Sequence, residues 1–210
     1  MNFSEKFMSG VSKIAENIDV TAIENLVGLM HEQLQLRDGK LFILGCGGSA
    51  SNSSHAVNDF RKLCNIQAYA PFDNMSEMTA RINDDGWDNS LVGWLKGNKL
   101  NHQDIVFILS VGGGDEKNNI SVNLIRSVQY AHKQSAYVAS IVGREKSYVA
   151  ENSSVCVVIP NMAFSISTSF HSKKELVTPY TESFQSVILH LIASHPLLRQ
   201  NKTKWESVND

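Results

Sequence analysis

The chain has 210 residues, 42% hydrophobic and 19% charged, the proportions of a single globular domain with a sizeable core. Its formal net charge of −2 lacks the basic field on which nucleic-acid binding depends. Cys46, Cys64 and Cys156 form neither a CxxC pair nor an even-numbered disulfide framework, and residues 1–30 carry Glu5, Glu16, Asp19 and Glu24 with no long apolar run, so the expectation is a cytoplasmic protein without secretory leader or membrane span.

Residues 3–17 and 21–36 read as amphipathic helices, the second with Ile23, Leu26, Val27 and Met30 at helical spacing. They precede any strand, so residues 1–37 are expected to lie outside the sheet and to bury their apolar stripes against other subunits. Five strand candidates follow, at 40–44, 66–70, 105–109, 136–142 and 155–159, and three of them are almost wholly apolar, as strands covered on both faces are. Helical patterns occupy 51–64 and 119–133. A last helix is expected over 179–194, with Thr178 as N-cap, Pro179 at the first helical position and His195-Pro196 as its stop. Strands alternating with helices predict a three-layer α/β/α sandwich over 38–197, with a five-stranded parallel sheet in order 2-1-3-4-5. Residues 198–210 read as a polar, frayed tail.

Two glycine loops stand at the ends of adjacent strands in that order. Gly45-Cys46-Gly47-Gly48-Ser49 follows the first strand, and Ser110-Val111-Gly112-Gly113-Gly114-Asp115 follows the third. Connections from neighbouring first and third strands leave in opposite directions, and the crevice between them is where such sheets bind ligands. Each loop leads into a helix N-terminus, so free amides and the helix dipole favour an anion, with phosphate the natural ligand. The plainer alternative is a pair of tight strand-to-helix turns. There is no Walker A motif and no GxGxxG fingerprint, so no nucleotide cofactor is expected.

With "GCGGSASNSSH", "NDDG" at 83–86, the strand–Ser110–glycine loop and a late helix carrying His190, the chain resembles the sugar isomerase (SIS) domain family over nearly its whole length. Within it the resemblance is to a divergent branch of the phosphoheptose isomerases, which interconvert sedoheptulose 7-phosphate and a heptose 7-phosphate. It implies phosphosugar contacts at Cys46, Gly47, Gly48, Ser49, Asn83, Asp84, Ser110, Val111, Gly112, Gly113 and Glu182. It also implies an acid/base pair at Asp59 and His190, a zinc or similar divalent metal held by His55, Asp59, Glu182 and His190, and a homotetramer with active sites at subunit boundaries. Three positions depart from the family pattern. Asp59 stands for a glutamate and Glu182 for a glutamine. Gly112-Gly113-Gly114-Asp115, in a longer loop, replaces a serine-rich phosphate loop. Asp115 would repel a phosphate if it pointed inward, and the glycine amides or Lys117 would then have to compensate.

Aldose–ketose isomerisation moves a proton between adjacent carbons through an enediol, and a carboxylate with an imidazole suits both the carbon and the oxygen transfers. His55 and Asp59, at i and i+4, share one helix face. Glu182 and His190 are eight residues apart, about 12 Å along a helix, so they serve one centre only if long side chains converge or a second subunit contributes. Alone, His55 and Asp59 read as a surface or capped pair, and their position just after the glycine loop reverses that reading, while the plainer reading of His190 is a core histidine on an apolar helix. His31, His102, His132 and His171 read as surface. The competing function class is a SIS domain that binds a phosphosugar, or a protein of the replication-initiator type, without catalysis.

Overall fold

Side chains in a strand alternate between its two faces, and here that alternation divides one core into two layers. The structure is a computed structural model describing residues 2–161 and 176–204. Strands β1 (Leu41–Leu44), β2 (Ala68–Tyr69), β3 (Ile105–Ser110), β4 (Tyr137–Val142) and β5 (Val155–Val158) form one parallel sheet in the order β2-β1-β3-β4-β5. Leu41 lies opposite Ala68 and Ile105, Ile105 opposite Tyr137, and Ala139 opposite Val155. Every residue of β1 and β3 is buried, which accounts for their unbroken apolar runs.

Leu41, Ile43, Ile105, Phe107 and Leu109 point to one face. There they meet α1 (Phe3–Asn17), α2 (Val20–Met30), α3 (Gly48–Cys64) and α8 (Val177–Ser194). Phe42, Leu44, Val106 and Ile108 point to the other. Packed on that face are α4 (Met75–Asp85), α5 (Trp87–Gly97), α6 (Val122–Lys133) and the short α7 (Tyr148–Glu151). The three-layer sandwich and its strand order are those expected. Among the described residues no helix is long and apolar enough to cross a membrane.

Several elements differ from the sequence reading. Ile23, Leu26, Val27 and Met30 of α2 are buried against this chain's own sheet and α8, not held out for another subunit. The chain then continues as a π-helical turn, His31–Leu36. Helices α4 and α5 have no counterpart in the sequence reading; α4 buries Met78 alone and so shows a weak apolar stripe, whereas α5 buries Leu91, Trp94 and Leu95 at helical spacing. The last helix begins at Val177, with Leu176 as N-cap and no capping side chain. Thr178 and Pro179 therefore lie inside its first turn, where an amide has no intrahelical acceptor and proline is tolerated. Of the expected tail, residues 198–201 are docked rather than frayed. Leu198 is fully buried, and the amides of Gln200 and Asn201 donate to the Leu63 carbonyl. His171 and residues 205–210 lie outside the described residues.

Candidate active site

The turn from β1 into α3 is built by glycines. Gly47 is the N-cap of α3 with φ +61°, and a Cβ at Gly45 would fall 2.6 Å from the Ser49 carbonyl. Cys46 is half-buried beside Asn123 of α6, whose Nδ2 donates to Sγ at 3.5 Å. Burial pushes the Cys46 thiol up, opposed by the Asn123 hydrogen bond, so it stays a neutral thiol.

From this turn α3 runs alongside α8 in the same direction, and a polar seam joins them. Ser49 Oγ donates to Gln185 Oε1 (3.1 Å). Asn52 Nδ2 donates to the Glu182 carbonyl (2.9 Å) and to Gln185 Oε1 (3.1 Å), and Ser186 Oγ donates to Asn52 Oδ1 (2.9 Å). Ser49 and Gln185 are both buried, so the Ser49 hydroxyl helps to join the two helices. Asn52, Gln185, Ser186 and Asn123 were missed from sequence. Their one signal was polar side chains recurring on otherwise apolar helix faces.

At the far end of the seam His55, Asp59 and His190 converge. His55 Nε2 lies 3.0 Å from His190 Nε2, and Asp59 Oδ2 lies 3.4 Å and 3.5 Å from the two imidazole nitrogens. The rings stand edge to face. Three ligand atoms on a tetrahedral metal with bonds near 2.0 Å are spaced by about 3.3 Å. The trio therefore fits a divalent metal in both spacing and donor type, and its ligand atoms form a group of metal-site dimensions. Glu182 is not in that group. Its carboxylate lies against Gly48, where a Cβ would come within 2.5–2.7 Å of both oxygens, so the structure separates Glu182 from the three residues with which the resemblance grouped it.

The second glycine loop turns back on itself. The Gly113 amide donates to Ser110 Oγ (3.0 Å), and the Gly113 carbonyl accepts from the Val149 amide (2.9 Å). A Cβ on Gly112 would meet nothing within 4 Å, so that position is open. Asp115 does not reach into the crevice. Its carboxylate accepts from the Asn118 amide and side chain, which holds it below the usual carboxylate range, and Asp115 and Ile120 close the turn by pairing their backbones. Asn83 and Asp84 end α4, exposed and bonded to each other, in the layer on the opposite side of the sheet from α3 and α8. One chain therefore does not bring them to the trio.

No protein-family model matches the chain. It is similar to the lincomycin biosynthesis protein LmbN of Streptomyces lincolnensis, 26% identical over 169 residues. That match covers 76% of this chain and 54% of LmbN, so the chain spans about half the length of this curated relative. In fold it is similar to the phosphoheptose isomerase GmhA of Neisseria gonorrhoeae, with a TM-score of 0.72 at 23% identity over 91% of this chain and 93% of that one. A phosphoheptose isomerase of Francisella tularensis aligns with a TM-score of 0.70 at 16% identity, over 92% and 97% of the two chains.

Proposed function

We propose that this chain, which carries the fold of the phosphoheptose isomerases, is itself a phosphosugar aldose–ketose isomerase. The observation that carries the proposal is the convergence of His55, Asp59 and His190 from two helices. Asp59 turns Oδ2 to the imidazoles and keeps Oδ1 beside the Asn58 amide. Oδ1 is then the base that takes a proton from C1 of the ketose and returns it to C2. His190 gives a proton to the C2 oxygen as the enediol forms, and removes the one on the C1 oxygen as the aldose carbonyl forms. A metal held by His55, Asp59 and His190, zinc by donor type, would occupy the same Oδ2 and imidazole nitrogens and would supply Lewis acidity at the sugar oxygens in place of the His190 proton.

The substrate we propose is sedoheptulose 7-phosphate, converted to D-glycero-D-manno-heptose 7-phosphate for surface-polysaccharide synthesis. The solved structures whose fold the chain shares include two phosphoheptose isomerases, and that likeness supports this substrate. In a single chain both imidazoles are more than half exposed, and Val187 and Leu191 beside His190 are exposed as well. This supports a homotetramer in which another copy covers the site and shields the enediol from water.

The test is incubation with sedoheptulose 7-phosphate, following the aldose by NMR. Conversion supports the proposal. Folded, zinc-supplied protein that binds the sugar without converting it belongs to the non-catalytic class.

A further inference from the structure

The last turn of an α-helix leaves its carbonyls without intrahelical partners. In α3 those carbonyls are met by chain from far away in sequence. The Leu63 carbonyl accepts from the Gln200 and Asn201 amides, the Lys62 carbonyl from Asn201 Nδ2 (3.1 Å) and the Cys64 carbonyl from Gln35 Nε2 (2.9 Å). Gln35 Nε2 also donates to the Leu198 carbonyl (2.8 Å), so both of its hydrogens are used. The amide then has a single orientation. Oε1 faces His31 Nδ1 at 3.0 Å and accepts from it, which places a His31 hydrogen on Nδ1. Gln35 is carried by the π-helical turn His31–Leu36, a rare form that concentrates at functional sites.

Gln35 joins the end of α3 to the segment that follows α8, close to the trio. Along α3, Cys64 is five residues beyond Asp59, about 7.5 Å. Its Sγ donates to the Ala193 carbonyl (3.4 Å). Along α8, Ala193 is three residues beyond His190, about 4.5 Å. The contacts that make the trio measure 3.0, 3.4 and 3.5 Å. A slip of one residue between the helices would shift them by about 1.5 Å. We propose that Gln35 is a positioning residue for His55, Asp59 and His190, fixing the register of α3 against α8 by clamping the Cys64 and Leu198 carbonyls. It acts through the helix ends, not on the reacting atoms. The role rests on the isomerase reading for what the trio does, but its first measurement needs neither turnover nor metal.

The experiment measures the NOE between the His55 and His190 rings in metal-free, histidine-labelled full chain, for wild type, Gln35→Met, Gln35→Glu and Gln35→Lys. Methionine keeps the length and loses the donors. Glutamate keeps an acceptor for His31 and loses the donors, whereas lysine restores a donor for both carbonyls. The two rings stand edge to face with centroids 5.2 Å apart, near enough for a cross-peak. It should persist in wild type and Gln35→Lys and weaken severalfold or vanish in folded Gln35→Met and Gln35→Glu. A cross-peak of wild-type strength in either folded loss variant overturns the proposal. So does its absence from wild type, and so does a failure of both loss variants to fold, which would assign Gln35 to the fold alone. The second measurement is steady-state kinetics with sedoheptulose 7-phosphate. In Gln35→Met kcat should drop by roughly tenfold or more with KM within about twofold, because small misplacements of reacting groups are costly, and Gln35→Lys should recover kcat. Lower stability with kcat unchanged overturns the positioning role. A wild type with an intact cross-peak and no turnover sinks the isomerase reading and leaves the positioning role standing.

Discussion

Asp59 faces two imidazoles, and one carboxylate oxygen serves both. His190→Ala and Asp59→Asn should each lower turnover by roughly 10²–10⁴ with the fold intact, the scale for losing a general acid or base. Steady-state rates alongside circular dichroism check this, and wild-type activity in both variants rejects the assignment. Ser49→Ala should leave phosphate affinity unchanged and cost about 0.5–1.5 kcal/mol of stability, because its hydroxyl bonds Gln185 and not the crevice. A large loss of phosphate binding would return Ser49 to the site. The buried Cys64 thiol is pushed up to about 11 from its ordinary 9.0, chiefly by burial, with Arg199 opposing and Asp59 adding. Between those values the unfolded chain releases a proton that the native thiol keeps. Its contribution is therefore full below about pH 9 and is lost as pH rises toward about 11, at no more than ~1.4 kcal/mol per pH unit. Denaturation of wild type and Cys64→Ala across that range should show a shallower decline in the variant. Equal slopes would place the loss elsewhere, with Cys46 and Cys156, whose thiols are also raised, the next to test.

At the scale of elements, the site depends on how α3 and α8 are held in register. The Ser49–Gln185–Asn52–Ser186 seam does this at the crevice end, and Cys64 Sγ donating to the Ala193 carbonyl does it at the other. Beyond α8 the chain folds back so that Leu198 fills the core and Gln35 Nε2 donates to both the Cys64 and Leu198 carbonyls. The docked segment therefore braces α3 and α8 at their C-terminal ends. Leu198→Ala should cost about 2–5 kcal/mol, the range for emptying a buried leucine site, and urea denaturation measures it. A change below 0.5 kcal/mol, a value for surface positions, would mean the segment is not docked in solution.

For the whole molecule, the proposed metal centre would join segments distant in sequence, so metal binding should stabilise the fold itself. Protein purified without chelator should hold about one equivalent of zinc per chain. His55→Ala and His190→Ala should each abolish it, and chelator should lower the melting temperature of wild type but not of the variants. Elemental analysis with thermal melts checks this. Less than a tenth of an equivalent in wild type ends the metal proposal without touching the isomerase proposal.

The sheet order, the two glycine loops and the i, i+4 pair His55–Asp59 were legible in the sequence. Alternating apolar runs, glycines at strand ends and helical periodicity are local signals, and each depends on neighbours within a few residues. Helix α4 was not legible because it buries one residue, Met78, whereas α5 buries Leu91, Trp94 and Leu95 at helical spacing, a signal present in the sequence but not used. The fate of polar side chains was not legible either. Whether Ser49 faces a phosphate or Gln185, whether Glu182 joins His190 or lies on Gly48, and whether Leu198 frays or fills a core depend on residues more than a hundred positions away. A serine hydroxyl or a carboxylate bonds whatever partner the fold brings within about 3 Å. The candidate chemistry was therefore written in residue types, and its division between a metal-type trio and a separate carboxylate was decided only when α3 and α8 packed side by side.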